Sequence, residues 1–440
     1  MPWWPGGGAV RPERTDNTET SQRVATVTRP RRWRFQATGP FSPLTSPQFR
    51  LLSIATILSA TALSVQALAR AWYLQDTTHS PFIVSVAGGL TGLPVLVFGF
   101  LGGQLSDQFS RKKVLLACEA SMMVGAAVLS WMMFSGAATT GWVLGFSAVH
   151  GLGTALSVSA RQTLTADSAP PGQERGAIGL GILVANLSGI IGPTLAGNVI
   201  GSGGIALAMA MSVGFGAAAL PFYGRMALDR RDQASRPSGN RWRSIGEGVR
   251  HAVRDPLLRW LMLTSFITLV MLSSRGAVYP AIVEDVLHLG AGAFALIEVT
   301  GGIGATLGPL AAVALSTKFS ERRVELWSGL VFAVTVMLMA LSNSLWMAAL
   351  MSGLTTFVGT IFFAANLSGI QLGAPPALRG RVLAARFALS GTYPMGMVAL
   401  GGVAEFIGPQ WALGAFAVAG FAMFALASAL WMPRGDAKVG

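Results

Sequence analysis

The chain alternates between long apolar runs and short polar connections. Each run holds about 20 residues, the length of helix that crosses a hydrocarbon core of roughly 30 Å. Six runs precede a polar segment and six follow it, which predicts an all-α membrane protein with twelve transmembrane helices in two pseudo-symmetric six-helix bundles. The predicted spans 1 to 12 cover approximately residues 51–74, 82–105, 113–134, 141–160, 176–200, 204–224, 257–282, 290–315, 324–342, 345–372, 380–404 and 409–432.

The composition favours the same class. Apolar residues make up 52% of the chain and charged residues 12%, whereas soluble domains carry roughly 25% charged residues. The net charge of +13 does not indicate nucleic-acid binding, because the basic residues lie in the tails, the central segment and alternate loops. The single cysteine, Cys118, lies inside an apolar run, so an internal disulfide is excluded.

Charge alternates from loop to loop. The loops after spans 2, 4, 8 and 10 carry Lys and Arg and form what we call the basic face. The loops after the odd-numbered spans carry neither and form the acidic face, with Asp76, His79, Glu284, Asp285 and Glu405. The positive-inside rule puts the basic face and both termini in the cytoplasm, so we expect a multi-pass protein of the plasma (inner) membrane.

This topology predicts five segments along the chain. In the central one, Ile245, Val249 and Val253 recur at helical spacing, which predicts a short amphipathic helix on the inner membrane surface. The segments are a disordered basic cytoplasmic tail (1–46), an N-terminal bundle (47–224), a cytoplasmic linker (225–256), a C-terminal bundle (257–433) and a cytoplasmic tail (434–440).

The most specific stretch is the loop between spans 2 and 3, GQLSDQFSRKKVL at residues 103–115. Asp107 precedes Arg111 by four residues across a turn, and an acid at a helix end can face the N-terminus of a neighbouring helix. Such a cluster could hold the cytoplasmic sides of the bundles together in one state and release them in another. The alternative is that the basic residues only fix orientation.

These features resemble the major facilitator superfamily. Five loop positions match its motif A: Gly103, Leu105, Asp107, Arg111 and Lys112. Four positions in span 5 have the spacing of its motif C, the antiporter motif: Gly179, Gly192, Pro193 and Gly197. Residues 66–72, 80–82, 159–162 and 394–396 resemble the drug- and siderophore-exporter branch that includes enterobactin-exporter-like proteins. The resemblance implies a secondary active transporter that works by alternating access.

Span 5 also has a physical interpretation of its own. Its glycines permit close contact with neighbouring helices, and Pro193 removes a backbone donor and bends the span. Packing alone would explain both features. A bent contact is also a place where two bundles could rock against each other.

Some positions depart from the superfamily's pattern. Ser147 stands where drug–proton exchangers carry an arginine in helix 4, and the first span contains no acid. The second-half copy of motif A, around Gly308–Arg323, has lost its aspartate. Proton coupling is therefore implied by the resemblance and not by the residues themselves.

Two arginines lie inside apolar spans, where each costs about 2.5–3.5 kcal/mol to insert. Arg70 is in span 1 and Arg275 in span 7, 205 residues later, close to the 204-residue separation between Pro171 and Pro375. One interpretation is that they hold an anionic substrate, as an arginine pair does in the superfamily's organophosphate–phosphate exchangers. The other is an outer gate, in which Arg275 pairs with Glu298 in span 8 and Arg70 extends toward the interfacial aromatics Trp72 and Tyr73.

The sequence thus predicts a transporter and not an enzyme, because it carries no metal-ligand spacing, nucleophile motif or phosphate-binding loop. The main interpretation is a proton-coupled exporter of small organic molecules such as a drug, a siderophore or another metabolite. The alternative is uptake or exchange of an anionic metabolite bound by Arg70 and Arg275. We expect a monomer in the lipid bilayer that uses no cofactor or metal and binds no nucleic acid.

Overall fold

The structure is a computed structural model that describes residues 41–108, 110–227, 241–376 and 378–432, except for the side chains at 95–108, 111, 159, 175 and 241–245. Within these ranges all regular structure is helical. Eleven of the described helices are long and apolar enough to cross a membrane, and the shorter apolar stretch Pro81–Pro94 belongs to span 2. The predicted all-α fold with twelve spans is confirmed.

The N-terminal half consists of six long helices that run a few residues past the apolar runs. Ser46 caps the first helix by accepting a hydrogen bond from the Phe49 amide, and Pro47 occupies the first turn, where a missing N–H costs nothing. Spans 1 to 6 are Pro47–Thr78, Pro81–Gln108, Arg111–Phe134, Thr140–Asp167, Glu174–Gly203 and Ile205–Arg225.

The C-terminal half repeats this arrangement after the linker helix Arg241–Arg254. Asp255 caps span 7 through a 2.9 Å hydrogen bond from the Leu258 amide. Spans 7 to 12 are Pro256–Ala277, Ala291–Ser316, Glu321–Ala340, Leu345–Gly373, Arg379–Ile407 and Pro409–Trp431. A short helical extension, made of Tyr279–Ala281 and Ile282–Val286, follows span 7 on the acidic face.

Span 7 is irregular inside. It is α-helical over Pro256–Ile267, π-helical over Thr268–Leu272 and 3-10 over Ser273–Ala277, and the extension ends in a second π turn. Pro280 removes one backbone donor, and the Ser274 hydroxyl donates to the Val270 carbonyl and competes with the helix ladder. Isolated π turns in long helices are frequent at functional sites, and Arg275 lies in the 3-10 turn that follows the first one.

The two halves meet along two helix pairs, spans 2 with 11 and spans 5 with 8. Small residues make the approach possible, because a Cβ at Gly88, Gly92 or Gly197 would meet Met397, Pro394 or Ala295 of the other half. This is the small-residue packing expected of membrane helices.

Large apolar side chains cover the outside of the molecule. Trp142, Trp346 and Trp411 at span ends are 57%, 76% and 75% exposed, as interfacial aromatic residues should be. Trp72 is an exception to the prediction, because it is only 6% exposed and stacks on Phe294 of the other half at a centroid distance of 6.2 Å. An apolar span end that packs on a partner helix has the same sequence signature as one that faces lipid.

The linker helix docks on the C-terminal half. Glu247 pairs with Arg381 at the start of span 11, and Gly248 lies against the backbone of Arg381 and Val382. Val249 and Val253 remain exposed, which leaves these two members of the predicted apolar stripe free to contact lipid.

Candidate functional site

A cavity of about 470 Å³ lies between the two halves. Spans 1, 2, 4 and 5 form one wall, and spans 7, 8 and 11 form the other. Most of the wall is apolar or glycine, and its polar members among the described residues are Ser64, Arg70, Thr91, Ser147, Thr154, Glu298 and Tyr393. A mainly apolar concave site with a few convergent polar groups is typical of small-molecule binding.

Arg70 is the cation of this wall. It is 6% exposed, and its Nε donates to the Gln66 carbonyl at 3.2 Å while Nη1 donates to the Ser147 hydroxyl at 2.9 Å. The guanidinium also lies 5.3 Å from the centroid of the Phe146 ring. These partners are neutral, so they hold the guanidinium in place without cancelling its charge. The side chain lines the cavity.

Arg275 is anchored differently. Its Nη2 donates to the Thr356 hydroxyl at 2.8 Å, its Nη1 contacts the Leu272 carbonyl at 3.5 Å, and the group lies 5.4 Å from the Phe332 ring centroid. The cavity wall includes Gly276 and Ala277 but not the Arg275 side chain. The structure therefore turns one arginine of the pair toward the cavity and the other into the C-terminal half.

Glu298 is the acid of the cavity wall. It lies close enough to Arg275 for electrostatic attraction, but the polar contacts of Arg275 are with a hydroxyl and a carbonyl. The cavity thus presents one cationic and one acidic side chain from opposite halves.

The four predicted residues of span 5 lie in different environments. A Cβ at Gly192 would meet Ser64 of span 1, and one at Gly197 would meet Ala295 of span 8. Pro193 lies inside the continuous helix and lines the cavity. Gly179 has no neighbouring atom within 4 Å of a Cβ position, so close packing does not require glycine there.

The loop between spans 2 and 3 is described only in part. The side chains at Gly103, Asp107 and Arg111 lie outside the described residues, so the predicted gate stays a prediction. Lys112 is described, and its Nζ donates to the Gly224 carbonyl and, at 2.7 Å, to the Met226 carbonyl. A cation at these carbonyls caps the C-terminal end of span 6, so Lys112 joins spans 3 and 6 within one half.

Sequence reasoning missed a buried polar network that is repeated in the two halves. In the N-terminal half Glu119 forms an ion pair with Arg161. Glu325 and Asn366 follow these positions after 206 and 205 residues, and the Asn366 amide donates to Glu325 at 2.9 Å. The repeat offset of 204 to 205 residues, applied to Glu119, ends one or two residues before Glu325.

The second copy of the network takes its cation from another helix. Arg386 of span 11 donates to the Asn366 oxygen at 2.8 Å, and the Thr264 hydroxyl contacts Glu325 at 2.7 Å. Glu325 is fully buried, and one of its oxygens has no hydrogen-bond partner. Glu298 is therefore not the only acid held inside the C-terminal half.

His150 packs against Phe146, the ring that also lies beside Arg70. It is 4% exposed, its ring packs at 5.5 Å from the Phe146 centroid, and neither ring nitrogen has a hydrogen-bond partner. This is a packed histidine between spans.

Polar contacts close the acidic face between the halves. The Gln75 amide donates to Asp285 at 3.1 Å, His79 lies 3.3 Å from Glu284, and the Ser80 hydroxyl donates to Glu405 at 2.8 Å. Burial raises the pKa of Glu284; the neighbouring His79 lowers it, and the charges of Asp285 and Asp76 raise it. Burial also raises the pKa of Asp285.

Two six-helix halves around a shared cavity define a membrane transporter of the major facilitator type. The family model described as "Transmembrane secretion effector" (MFS_3) matches residues 38–439, and the chain belongs to this family. Its members transport and do not catalyse a reaction.

Curated relatives are a quarter identical to this chain over the aligned residues. It is 25% identical to the enterobactin exporter EntS of Shigella boydii over 77% of this chain and 80% of the relative. With the enterobactin exporter EntS of Citrobacter koseri the identity is 25% over 90% and 93%.

Solved structures confirm the fold. A mutant form of the nucleoside transporter NupG superimposes with a TM-score of 0.71 at 12% identity, covering 87% of this chain and 99% of that one. A bacterial homologue of the human lysosomal transporter Spinster gives a TM-score of 0.65 at 16% identity, covering 89% and 99%.

Proposed function

We propose that this protein is a secondary active exporter of small organic molecules, such as a siderophore or a drug, in the inner membrane. It works by alternating access with both termini in the cytoplasm, and a proton gradient drives it. The observation that carries the proposal is the cavity between the halves, with Arg70 and Glu298 in its wall. The relatives named as exporters support the direction of transport.

Arg70 gives the cavity a preference for substrates with an acidic group. A buried guanidinium with only neutral partners has lost hydration without gaining a counter-ion. A carboxylate or phenolate in the cavity would offset that cost through charge-assisted hydrogen bonds. The apolar wall accommodates the rest of the molecule.

A second candidate is uptake or exchange of an anionic metabolite bound by both arginines. Arg70 supports it, because this side chain already lines the cavity. For Arg275 to contribute, its guanidinium would have to leave Thr356. The two candidates therefore differ in what removal of Arg275 does.

The test is counterflow in proteoliposomes preloaded with enterobactin or with other small organic anions. Arg70→Gln is expected to reduce exchange by at least about tenfold, because a charge-assisted hydrogen bond contributes roughly 1.5–3 kcal/mol. Arg275→Gln should retain most of the exchange, and the exposed Arg254→Gln serves as the matched control. Equal loss in Arg70→Gln and Arg275→Gln favours the second candidate. Wild-type exchange of every transported anion by Arg70→Gln would contradict anion recognition.

A further inference from the structure

A cluster of metal-ligating side chains lies on the acidic face, outside the central cavity. It joins the end of span 1 to the helical extension after span 7 through His79, Glu284 and Asp285. One donor atom from each residue lies within 4.8 Å of the other two. The His79 side chain is 67% exposed and that of Glu284 19%, so an ion from solution can reach the cluster and still be partly sheltered.

Gln75 provides an independent observation that points to a ligand. Its side chain is fully buried, and its Nε2 lies 3.1 Å from Asp285 Oδ2. Its amide oxygen has no hydrogen-bond partner, and neither does Oε2 of Glu284. Buried oxygens without a donor each cost free energy. A cation bound at the cluster would give Oε2 of Glu284 a partner, and a 180° turn of the Gln75 amide, which exchanges its nitrogen and oxygen, would direct the oxygen toward that cation as well.

The charge of the cluster also favours a bound cation. Glu284 and Asp285 are adjacent in the sequence, and Asp76 is close enough to repel Glu284. These three carboxylates leave an excess of negative charge at the cluster. A divalent cation would remove that repulsion.

We propose that His79, Glu284, Asp285 and the amide oxygen of Gln75 bind one divalent transition-metal ion, for which Zn²⁺ is the test case. One imidazole nitrogen with carboxylate and amide oxygens suits a borderline ion better than a hard one. Zinc bonds of roughly 2.0–2.2 Å require the donors to draw together slightly from their present spacing.

Because of the position of the site, a bound ion would affect how the two halves are held together. Gln75 and His79 belong to the N-terminal half, whereas Glu284 and Asp285 belong to the C-terminal half. A bound ion therefore fastens the halves to each other and stabilises the conformation in which the acidic face is closed.

The test is calorimetric titration of the full-length, tag-free protein in nanodiscs with Zn²⁺, and with Mg²⁺ as the hard-ion control. One saturable Zn²⁺ site per chain is expected. Glu284→Gln and Asp285→Asn should each weaken it by at least about tenfold. Glu405→Gln is the matched control, because this acid also joins the halves on the acidic face but lies outside the cluster, and it should bind Zn²⁺ as the wild type does.

Thermal unfolding separates loss of binding from loss of folding. Zn²⁺ should raise the Tm of the wild type and of Glu405→Gln but not that of Glu284→Gln, and all three should unfold at similar temperatures without metal. The proposal is overturned if the wild type shows no saturable Zn²⁺ binding, if Mg²⁺ binds as tightly, or if Glu284→Gln retains wild-type affinity.

Discussion

At the scale of single residues, the two halves stabilise a buried glutamate in different ways. Glu119 is held by a direct ion pair with Arg161. The equivalent acid, Glu325, is held by neutral donors, and its nearest cation reaches it only through Asn366. Removal of one member of a direct buried pair leaves a charge without a partner, so the first network should be the more sensitive.

Arg161→Ala is expected to destabilise the protein by about 3–5 kcal/mol, because Glu119 is only 7% exposed. Addition of Glu119→Gln to this variant should recover much of the loss, since the orphaned charge is removed. Arg386→Gln is the comparison in the other half and should cost less, because the donors to Glu325 remain. Denaturant unfolding of the wild type and these three variants in detergent measures the losses of unfolding free energy. An equal loss for Arg161→Ala and Arg386→Gln would contradict the claim that the first network is the more sensitive.

At the scale of elements, the apolar runs predicted where spans lie but not how they are built inside. The run of span 7 shows neither its π turn nor its 3-10 turn, because these depend on hydrogen bonds such as that from Ser274 to Val270 and on packing against distant helices. Span 5 shows the same limit. Its glycines are alike in sequence, yet a Cβ at Gly197 would meet another helix and a Cβ at Gly179 would meet no atom within 4 Å.

That difference predicts opposite outcomes for the same substitution. Gly197→Leu should separate spans 5 and 8, destabilise the closed acidic face by about 1–3 kcal/mol and reduce counterflow. Gly179→Leu should leave both properties near wild type, because its position is open. Measurements of Tm and counterflow on the two variants test this prediction. A larger effect at Gly179 would mean that this motif position acts through something other than the packing seen here.

At the scale of the whole molecule, the site depends on how two halves meet, which no local pattern in the chain encodes. Arg70 was detectable as a charge inside an apolar run. Whether its side chain lines the cavity or extends to the membrane surface was not detectable from the sequence. The contact between Gln75 and Asp285 spans 210 residues, and neither side chain is unusual by itself. Glu325 was hidden because it lies at the start of its apolar run. Fold class was accessible from the sequence, whereas the pairing of residues across the halves was not.

The central claim is that the cavity carries a substrate outward at the expense of a proton gradient. The most direct measurement is accumulation of enterobactin in everted membrane vesicles with an acidic interior, compared with vesicles that lack the protein. We predict accumulation that depends on the protein, stops when a protonophore collapses the gradient, and is reduced by at least about tenfold in Arg70→Gln. Accumulation that persists without a gradient, or that is unchanged in Arg70→Gln, would contradict the account.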